Sequence, residues 1–243
     1  MMYGKLCTEF YDLDKRFADA DEISFYQPCL DQADVILEPM CGSGRLLIPL
    51  LQQGYSIHGV DNSVSMLESC KQRARARGLD PVLYHDSIET MDLPCRYNVI
   101  LIPLGSFQLL YPRSAAYQAL SNFNRHLLEG GKLILDLFVP WDALSKRNEN
   151  EFNTKEVLTP DGGKIVYQSH DQINIYDQNI YSEAVYKKII NDQIVADEYE
   201  QMHISWYYRY EMELMLEKFG FRHISFQEKI FRDENHMLFI AEK

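Results

Sequence analysis

The chain has 243 residues, 46% of them hydrophobic and 25% charged, enough apolar material for a full globular core and too much for a disordered polymer. At roughly 150 residues per domain, its length fits one domain carrying an insertion. Thirty-six acidic against 24 basic residues leave a formal charge of −12, which repels phosphate backbones and anionic headgroups and argues against nucleic acid as a partner.

Met1 to Asp12 carries Lys5, Glu9 and Asp12, so no apolar signal-peptide core is read there and a cytoplasmic protein is expected. From Val35 the pattern becomes strand, glycine turn, helix, repeated, as parallel α/β sheets are written. Val35–Leu37 predicts a short buried strand, and Arg45–Gln53 a helix with Leu46, Leu47, Leu50 and Leu51 on one face, stopped by Gly54. Ser56–Val60 predicts the second strand; Ser63–Arg77 predicts a helix whose Met66, Leu67, Cys70 and Ala74 share a face before Gly78. On that helix Lys71, Arg73, Arg75 and Arg77 read as a solvated basic face. Pro81–Tyr84 and Tyr97–Ile102 predict the third and fourth strands, Ala115–Leu128 a helix ended by Gly130-Gly131, and Lys132–Phe138 the fifth strand. The uncharged stretch Tyr97–Pro112 is interrupted by Asn98, Pro103, Gly105 and Gln108 and falls short of the ~20 apolar residues of a membrane span, so no membrane association is expected.

After Pro140 the character changes. Phe152 to His203 alternates Tyr- and Ile-rich segments with turn signals at Asp161-Gly162-Gly163 and Asn191-Asp192, which predicts antiparallel strands. Tyr210–Phe219 resumes as a helix closed by Gly220, and Phe221–Lys229 with His236–Glu242 predict two strands around the polar turn Arg232–Asn235. The implied division is an N-terminal lid segment 1–34, a sheet domain made of 35–140 and 207–243, and an antiparallel β insertion 141–206. Five widely spaced cysteines, Cys7, Cys29, Cys41, Cys70 and Cys95, include no Cys-x-x-Cys pair and read as reduced thiols with no metal centre.

The segment that carries chemistry is Glu38-Pro39-Met40-Cys41-Gly42-Ser43-Gly44, where the first strand meets the first helix. Gly42 and Gly44 allow a tight turn and close approach to a ligand, and amides at the helix start are expected to offer donors to it. A dinucleotide fingerprint would place glycine where Leu47 stands, and Glu38 would face a pyrophosphate unfavourably. A strand-end acid suits a cationic ligand instead. Asp61 closes the second strand, where an acid can accept both ribose hydroxyls, and Asp86 follows the third. The plainer reading of these acids is helix capping, but their recurrence after consecutive strands, beside a glycine turn, favours a ligand.

This ordered set resembles class I S-adenosylmethionine-dependent methyltransferases, with Glu38–Gly44 similar to their motif I. The resemblance implies a Rossmann-like fold: a seven-stranded, mostly parallel sheet with helices on both faces, plus an antiparallel β insertion between the fifth strand and the following helix. It implies S-adenosyl-L-methionine as cofactor, held by Tyr11, Tyr26, Glu38, Pro39, Met40, Cys41, Gly42, Gly44, Asp61, Asn62, Met66, Asp86, Ser87, Ile88, Pro103 and Leu104. Asp86 would accept from the adenine amino group, and Pro103-Leu104 would floor the methionine portion. Met40 departs from the pattern, standing where a glycine is usual; either the turn passes without positive φ there or the cofactor lies slightly farther out. Arg16 or Arg45 would pair with the cofactor's carboxylate.

The inserted strands and the Trp206-Tyr207-Tyr208 lead-in look like small-molecule N-methyltransferases of the amino-sugar and glycine/sarcosine kind, and Phe10-Tyr11-Asp12 resembles that group's lid. A small-molecule amine is therefore the expected methyl acceptor. Tyr11, His170, His203 and Tyr208, together with Tyr181, are candidates to orient it or take its proton. Tyr11 and Tyr26 are candidates to face the sulfonium with their rings. The rival readings are a nicotinamide-dependent oxidoreductase and a non-catalytic cofactor-binding or scaffold protein. In the scaffold reading the β insertion pairs with another copy instead of forming a lid, and an edge-strand homodimer is compatible with that.

Overall fold

Two short helices, α1 (Lys5–Asp14) and α2 (Ala20–Tyr26), precede the sheet, and Asp19 caps α2 by accepting the Glu22 amide at 3.0 Å. In this computed structural model, which describes residues 3–145, 151–231 and 234–243, the first strand β1 (Val35–Pro39) lies in the middle of the main sheet. Its apolar run is explained by burial on both faces: Ile36 enters one hydrophobic cluster and Leu37 the other. Helix α3 (Leu47–Gln52) begins two residues later than predicted because Arg45 and Leu46 belong to the preceding turns. Strand β2 (Ser56–Asp61) leads into α4 (Val64–Arg75), whose N-cap Ser63 accepts the Met66 amide at 3.2 Å and whose buried stripe is Met66, Leu67, Cys70 and Ala74, as predicted. The basic face of α4 is not simply solvated: Arg73 binds Asp12 at 2.7 Å, and Arg73 and Arg77 both stack on Phe17.

Strands β3 (Val82–His85) and β4 (Tyr97–Ile102) follow, then α5 (Arg113–His126) and β5 (Leu127–Phe138). The predicted stop at Gly130-Gly131 is incorrect, since these glycines lie inside β5. A Cβ on Gly131 would come within 3.1 Å of the Tyr97 and Asn98 carbonyls, so the glycine marks a close backbone approach where the β4–β5 register shifts. A short helix the sequence did not signal, α6 (Trp141–Ser145), leads to the insertion: β6 (Glu151–Leu158), β7 (Lys164–Asn174), β8 (Asn179–Ile190) and β9 (Gln193–Ser205) form an antiparallel sheet in chain order. Asn191 and Asp192, at φ 50° and 61°, make the tight β8–β9 turn that their residue types favour.

Helix α7 (Arg209–Lys218) and strands β10 (Arg222–Phe231) and β11 (Glu234–Glu242) complete the main sheet in the order β10-β11-β5-β4-β1-β2-β3. Strands β1 to β5 pair in parallel, while β11 runs antiparallel to both β5 and β10. The predicted turn 232–235 shrinks, with Glu234 and Asn235 already in strand; 232 and 233 lie outside the described residues. The inserted sheet is tied over the main one by buried Gln108, whose amide group donates to the Phe138 and Ser205 carbonyls and accepts the Phe138 amide at 2.9–3.0 Å. Among the described residues no helix is long and apolar enough to cross a membrane, and the five cysteines are free thiols.

Candidate functional site

The carboxyl ends of β1 to β4 open into one cavity of about 1120 Å³, covered by Tyr3, Tyr11 and Lys15 from the N-terminal segment and by the edge of β9 from Tyr199 to Ile204. This is the crevice in which open α/β sheets hold their ligands. Tyr11, Glu38, Met40, Cys41, Gly42, Asp61, Asn62, Met66, Asp86, Ile88, Pro103, Leu104 and His203, all predicted, line it.

The glycine turn is tighter than its sequence implies. Met40, Gly42 and Gly44 all have positive φ, at 57°, 53° and 78°. The expectation that the turn avoids positive φ at Met40 is therefore overturned: the methionine itself takes the left-handed conformation, at a cost of about 1–2 kcal/mol. Three of the turn's amides are already taken within the protein. Cys41 N–H donates to the Val60 carbonyl at 3.2 Å, Gly42 N–H to Asp61 Oδ2 at 2.8 Å, and Gly44 N–H to the Cys41 carbonyl at 3.0 Å. Gly44 does not reach the cavity; a Cβ there would collide with Cys70 Sγ at 2.6 Å, so this glycine serves the contact of the turn with α4.

Recognition at this crevice therefore falls to carboxylates. Glu38 is 3% exposed, its Oε2 has no hydrogen-bond partner, and burial pushes its carboxyl up to about 8 despite the opposing pull of Arg45. Asp61 accepts the Gly42 and Ser63 amides, one on each oxygen at 2.8 Å; burial raises its carboxyl and those amides hold it back. Its remaining lone pairs leave capacity for further donors at the cavity wall. Asp86 binds the Ser87 amide with Oδ1 at 2.8 Å. Glu89 and Glu200 add two more acids to the lining, with Glu200 Oε1 also unpartnered. Against these stand Lys15 and Arg45, and Arg45 is committed to Glu22 by two charge-assisted hydrogen bonds. A buried carboxyl with one unpartnered oxygen, within an acidic wall, fits a cationic, hydroxyl- and amine-bearing ligand, and is a poor fit for a pyrophosphate.

Several predicted residues lie elsewhere. Tyr26 is fully buried behind the cavity wall, its hydroxyl donating to Asp136, so its ring does not face a ligand. Pro39 and Ser87 stay outside the lining, and Arg16 is exposed away from it. His170 on β7 packs against Phe152, with ring centroids 4.8 Å apart, and Tyr181 on β8 donates to Glu183 at 2.9 Å, both on the sheet face that also carries His203. Tyr208 is half exposed at the start of α7. None of the three lines the cavity: among the described residues the inserted sheet lines it through β9 alone, so Tyr181 of β8 sits behind His203 with ring centroids 4.9 Å apart, His170 lies one strand farther on β7, and Tyr208 precedes α7. His203 does line it, stacked on Tyr111 at 3.7 Å and hydrogen-bonded to Asn179 at 2.8 Å, with burial lowering its imidazole below the usual range. Sequence reasoning missed Tyr3, Lys15, Glu200 and His236, which come from segments far from the glycine turn; only the fold brings them together.

Known proteins resemble this chain in part of its sequence and in its fold. Residues 36–131 match the family described as a methyltransferase domain. A protein of Geobacillus sp. (strain WCH70), provisionally named a methyltransferase, is 26% identical over 142 residues; the matched stretch covers 54% of this chain and 58% of that relative. An S-adenosylmethionine-dependent methyltransferase from Clostridium acetobutylicum ATCC 824 superposes with a TM-score of 0.72 at 18% identity, covering 93% of this chain and 92% of the other. The CcbJ methyltransferase from Streptomyces caelestis gives 0.72 at 16% identity, covering 100% and 99%. A sugar N-methyltransferase from Streptoalloteichus sp. ATCC 53650 gives 0.68 at 16% identity, covering 91% and 83%. The chain thus matches a methyltransferase domain over residues 36–131 and shares its overall fold with solved S-adenosylmethionine-dependent methyltransferases.

Proposed function

We propose that this protein transfers a methyl group from S-adenosylmethionine to a small molecule bearing an amine. The observation that carries the reading is the buried Glu38 carboxyl at the glycine turn, its Oε2 left without a hydrogen-bond partner, flanked by Asp61 and Asp86 at the next two strand ends in one cavity. In this reading Asp61 receives the ribose hydroxyls, Asp86 the adenine amino group, and Glu38 balances the positive end of the cofactor. The bound cofactor supplies a methyl already activated on a sulfonium, so the chain has to align the acceptor and exclude water. The N-terminal segment 1–34 acts as the lid, and 141–206 covers the acceptor. An acidic wall also favours an amine over a phosphate-bearing acceptor. The sugar and glycopeptide N-methyltransferases among the structural neighbours support the same class, as features of those proteins.

Calorimetry with S-adenosylmethionine and with NADH tests the cofactor. Binding of the first alone is expected; tight binding of NADH alone would reverse the assignment to an oxidoreductase. Incubating the protein with isotopically labelled S-adenosylmethionine and a pool of small amines, followed by mass analysis, tests the acceptor. Label appearing only on phosphate esters or hydroxyls would refute the amine.

A further inference from the structure

Besides the acids at the strand ends of the main sheet, the cavity wall holds a buried carboxyl from the inserted sheet. Glu200 of β9 is 6% exposed and lines the cavity. The Tyr186 hydroxyl donates to its Oε2 at 3.2 Å and the Cys7 thiol lies 3.3 Å from the same oxygen, so β8 and α1 together hold the carboxyl in place. Its Oε1 has no hydrogen-bond partner among the described residues, and a buried acceptor left open in this way is costly until a donor arrives. S-adenosylmethionine donates through its ribose hydroxyls, its adenine amino group and its methionine ammonium. In the reading above Asp61 and Asp86 take the first two and Glu38 faces the positive end, which leaves the oxygen of Glu200 for another molecule. The volume of about 1120 Å³ exceeds the roughly 300–1,000 Å³ usual for one small ligand, so a second molecule has room beside the first. At the next alternate positions of β9, on the same face as Glu200, Met202 and Ile204 also line the cavity. Leu109 and Leu110 join them from the segment between β4 and α5, which packs against β9. One carboxyl beside apolar side chains suits an amine on a carbon skeleton. Burial opposes ionisation of Glu200 and the bonds from Cys7 and Tyr186 favour it. An incoming cation adds to that support, a neutral hydroxyl adds less, and an anion is repelled.

Resting on the methyl-transfer reading, we infer that Glu200 binds the methyl acceptor, its Oε1 accepting a hydrogen bond from the acceptor's ammonium while Met202, Ile204, Leu109 and Leu110 receive the carbon skeleton. Glu200 is a binding and specificity residue: it selects a positively charged amine over a neutral or anionic molecule of the same shape. Tyr186 and Cys7 are positioning residues, fixing the other oxygen so that Oε1 stays turned to the acceptor.

The test needs no identified acceptor. Protein saturated with S-adenosylhomocysteine, the demethylated cofactor, is titrated at constant salt with n-butylammonium chloride and, separately, with n-butanol, and binding is read from the ligand's NMR signals. The wild-type protein is expected to bind the ammonium about tenfold more tightly than the alcohol of the same shape, as a charge-assisted hydrogen bond allows. Glu200→Gln keeps an oxygen for Tyr186 and Cys7 but carries no charge. It is expected to bind the two probes about equally, with S-adenosylhomocysteine affinity and melting temperature unchanged. Glu200→Asp keeps the charge but withdraws it by a methylene group; an intermediate preference is expected, and this variant carries the test where the glutamine variant does not fold. Equal binding of the two probes by the wild type, or a preference undiminished in either variant, overturns the inference. Failure of the wild-type protein to bind S-adenosylhomocysteine instead overturns the methyl-transfer reading beneath it.

Discussion

Glu38 shows how burying a single carboxyl ties its titration to the stability of the fold. Its carboxyl stands at about 8 in the native state because burial opposes its ionisation, whereas in the unfolded chain it titrates near 4.5. Its native value is raised, so its contribution to stability is complete below pH 4.5 and is lost progressively as pH rises towards 8. Glu38→Gln is therefore expected to melt at the same temperature as wild type near pH 4.5, and at a progressively higher one up to pH 8. A cationic ligand favours the ionised form, so binding of S-adenosylmethionine at pH 7 is expected to release a proton. Calorimetry in buffers of different ionisation enthalpy detects that proton, and Glu38→Gln should lose it together with much of the affinity. Asp61 is a different case, because it braces the Gly42 and Ser63 amides as well as facing the cavity. Asp61→Asn, which retains an acceptor, separates the roles better than alanine: affinity for S-adenosylmethionine is expected to fall by about tenfold or more, as loss of charged hydrogen bonds implies, with a small change in melting temperature.

Among the elements, the glycine turn and α4 were legible in the sequence because residue type and backbone need coincide there. What the sequence did not separate was the work of the two glycines. Gly42 has only Met66 Sδ, 3.8 Å away, near the place of a Cβ, while Gly44 presses against Cys70 and Ile48. Gly44→Ala is expected to destabilise by roughly 2–4 kcal/mol, adding overpacking to left-handed strain. Gly78→Ala, at φ 72° with nothing near its would-be Cβ, serves as the control and is expected to cost only about 1–2 kcal/mol; denaturant melts of the two variants compare them. Gly130-Gly131 misled for a related reason, since a glycine pair signals turn and close approach alike, and only the neighbouring β4 carbonyls decide between them. The same limit explains the histidines. Alternation announced strands at 152–203, but which strand borders the cavity depends on how the sheet docks, so β9 brings His203 to the site while His170, on the same face, stays two strands away on β7.

Across the whole molecule, α1 is held to the inserted sheet through its unsatisfied amino end. Its N-cap, Gly4, provides no side-chain cap; instead Glu198 of β9 accepts the Leu6 and Cys7 amides at 3.0 and 3.2 Å. A Cβ on Gly4 would lie 2.3–2.4 Å from the Glu198 carboxylate, so the glycine makes the approach feasible. Ion pairs between Lys188 and Glu9 and between Arg73 and Asp12 hold the same helix to the inserted sheet and to α4. Gly4→Ala is expected to free α1 without unfolding the main sheet, read as faster proteolysis of the N-terminal segment and weaker S-adenosylmethionine binding at a nearly unchanged main melting transition. Cleavage and affinity both equal to wild type would show that this docking does not govern the cavity.

The sequence alone determined the main sheet, its glycine turn, the acids at three successive strand ends and the existence of an inserted antiparallel sheet. Each of these is written in local periodicity and residue type, where conformational preference acts over a few residues. The tertiary structure alone decided that Glu38 is buried with one oxygen unpartnered, that Glu198 caps a helix through Leu6, 192 residues away, and that His236, Asp136 and Tyr26 meet beside the cavity. Those are consequences of burial and of contacts between distant segments, which depend on how whole elements pack and leave no mark in any short stretch of sequence.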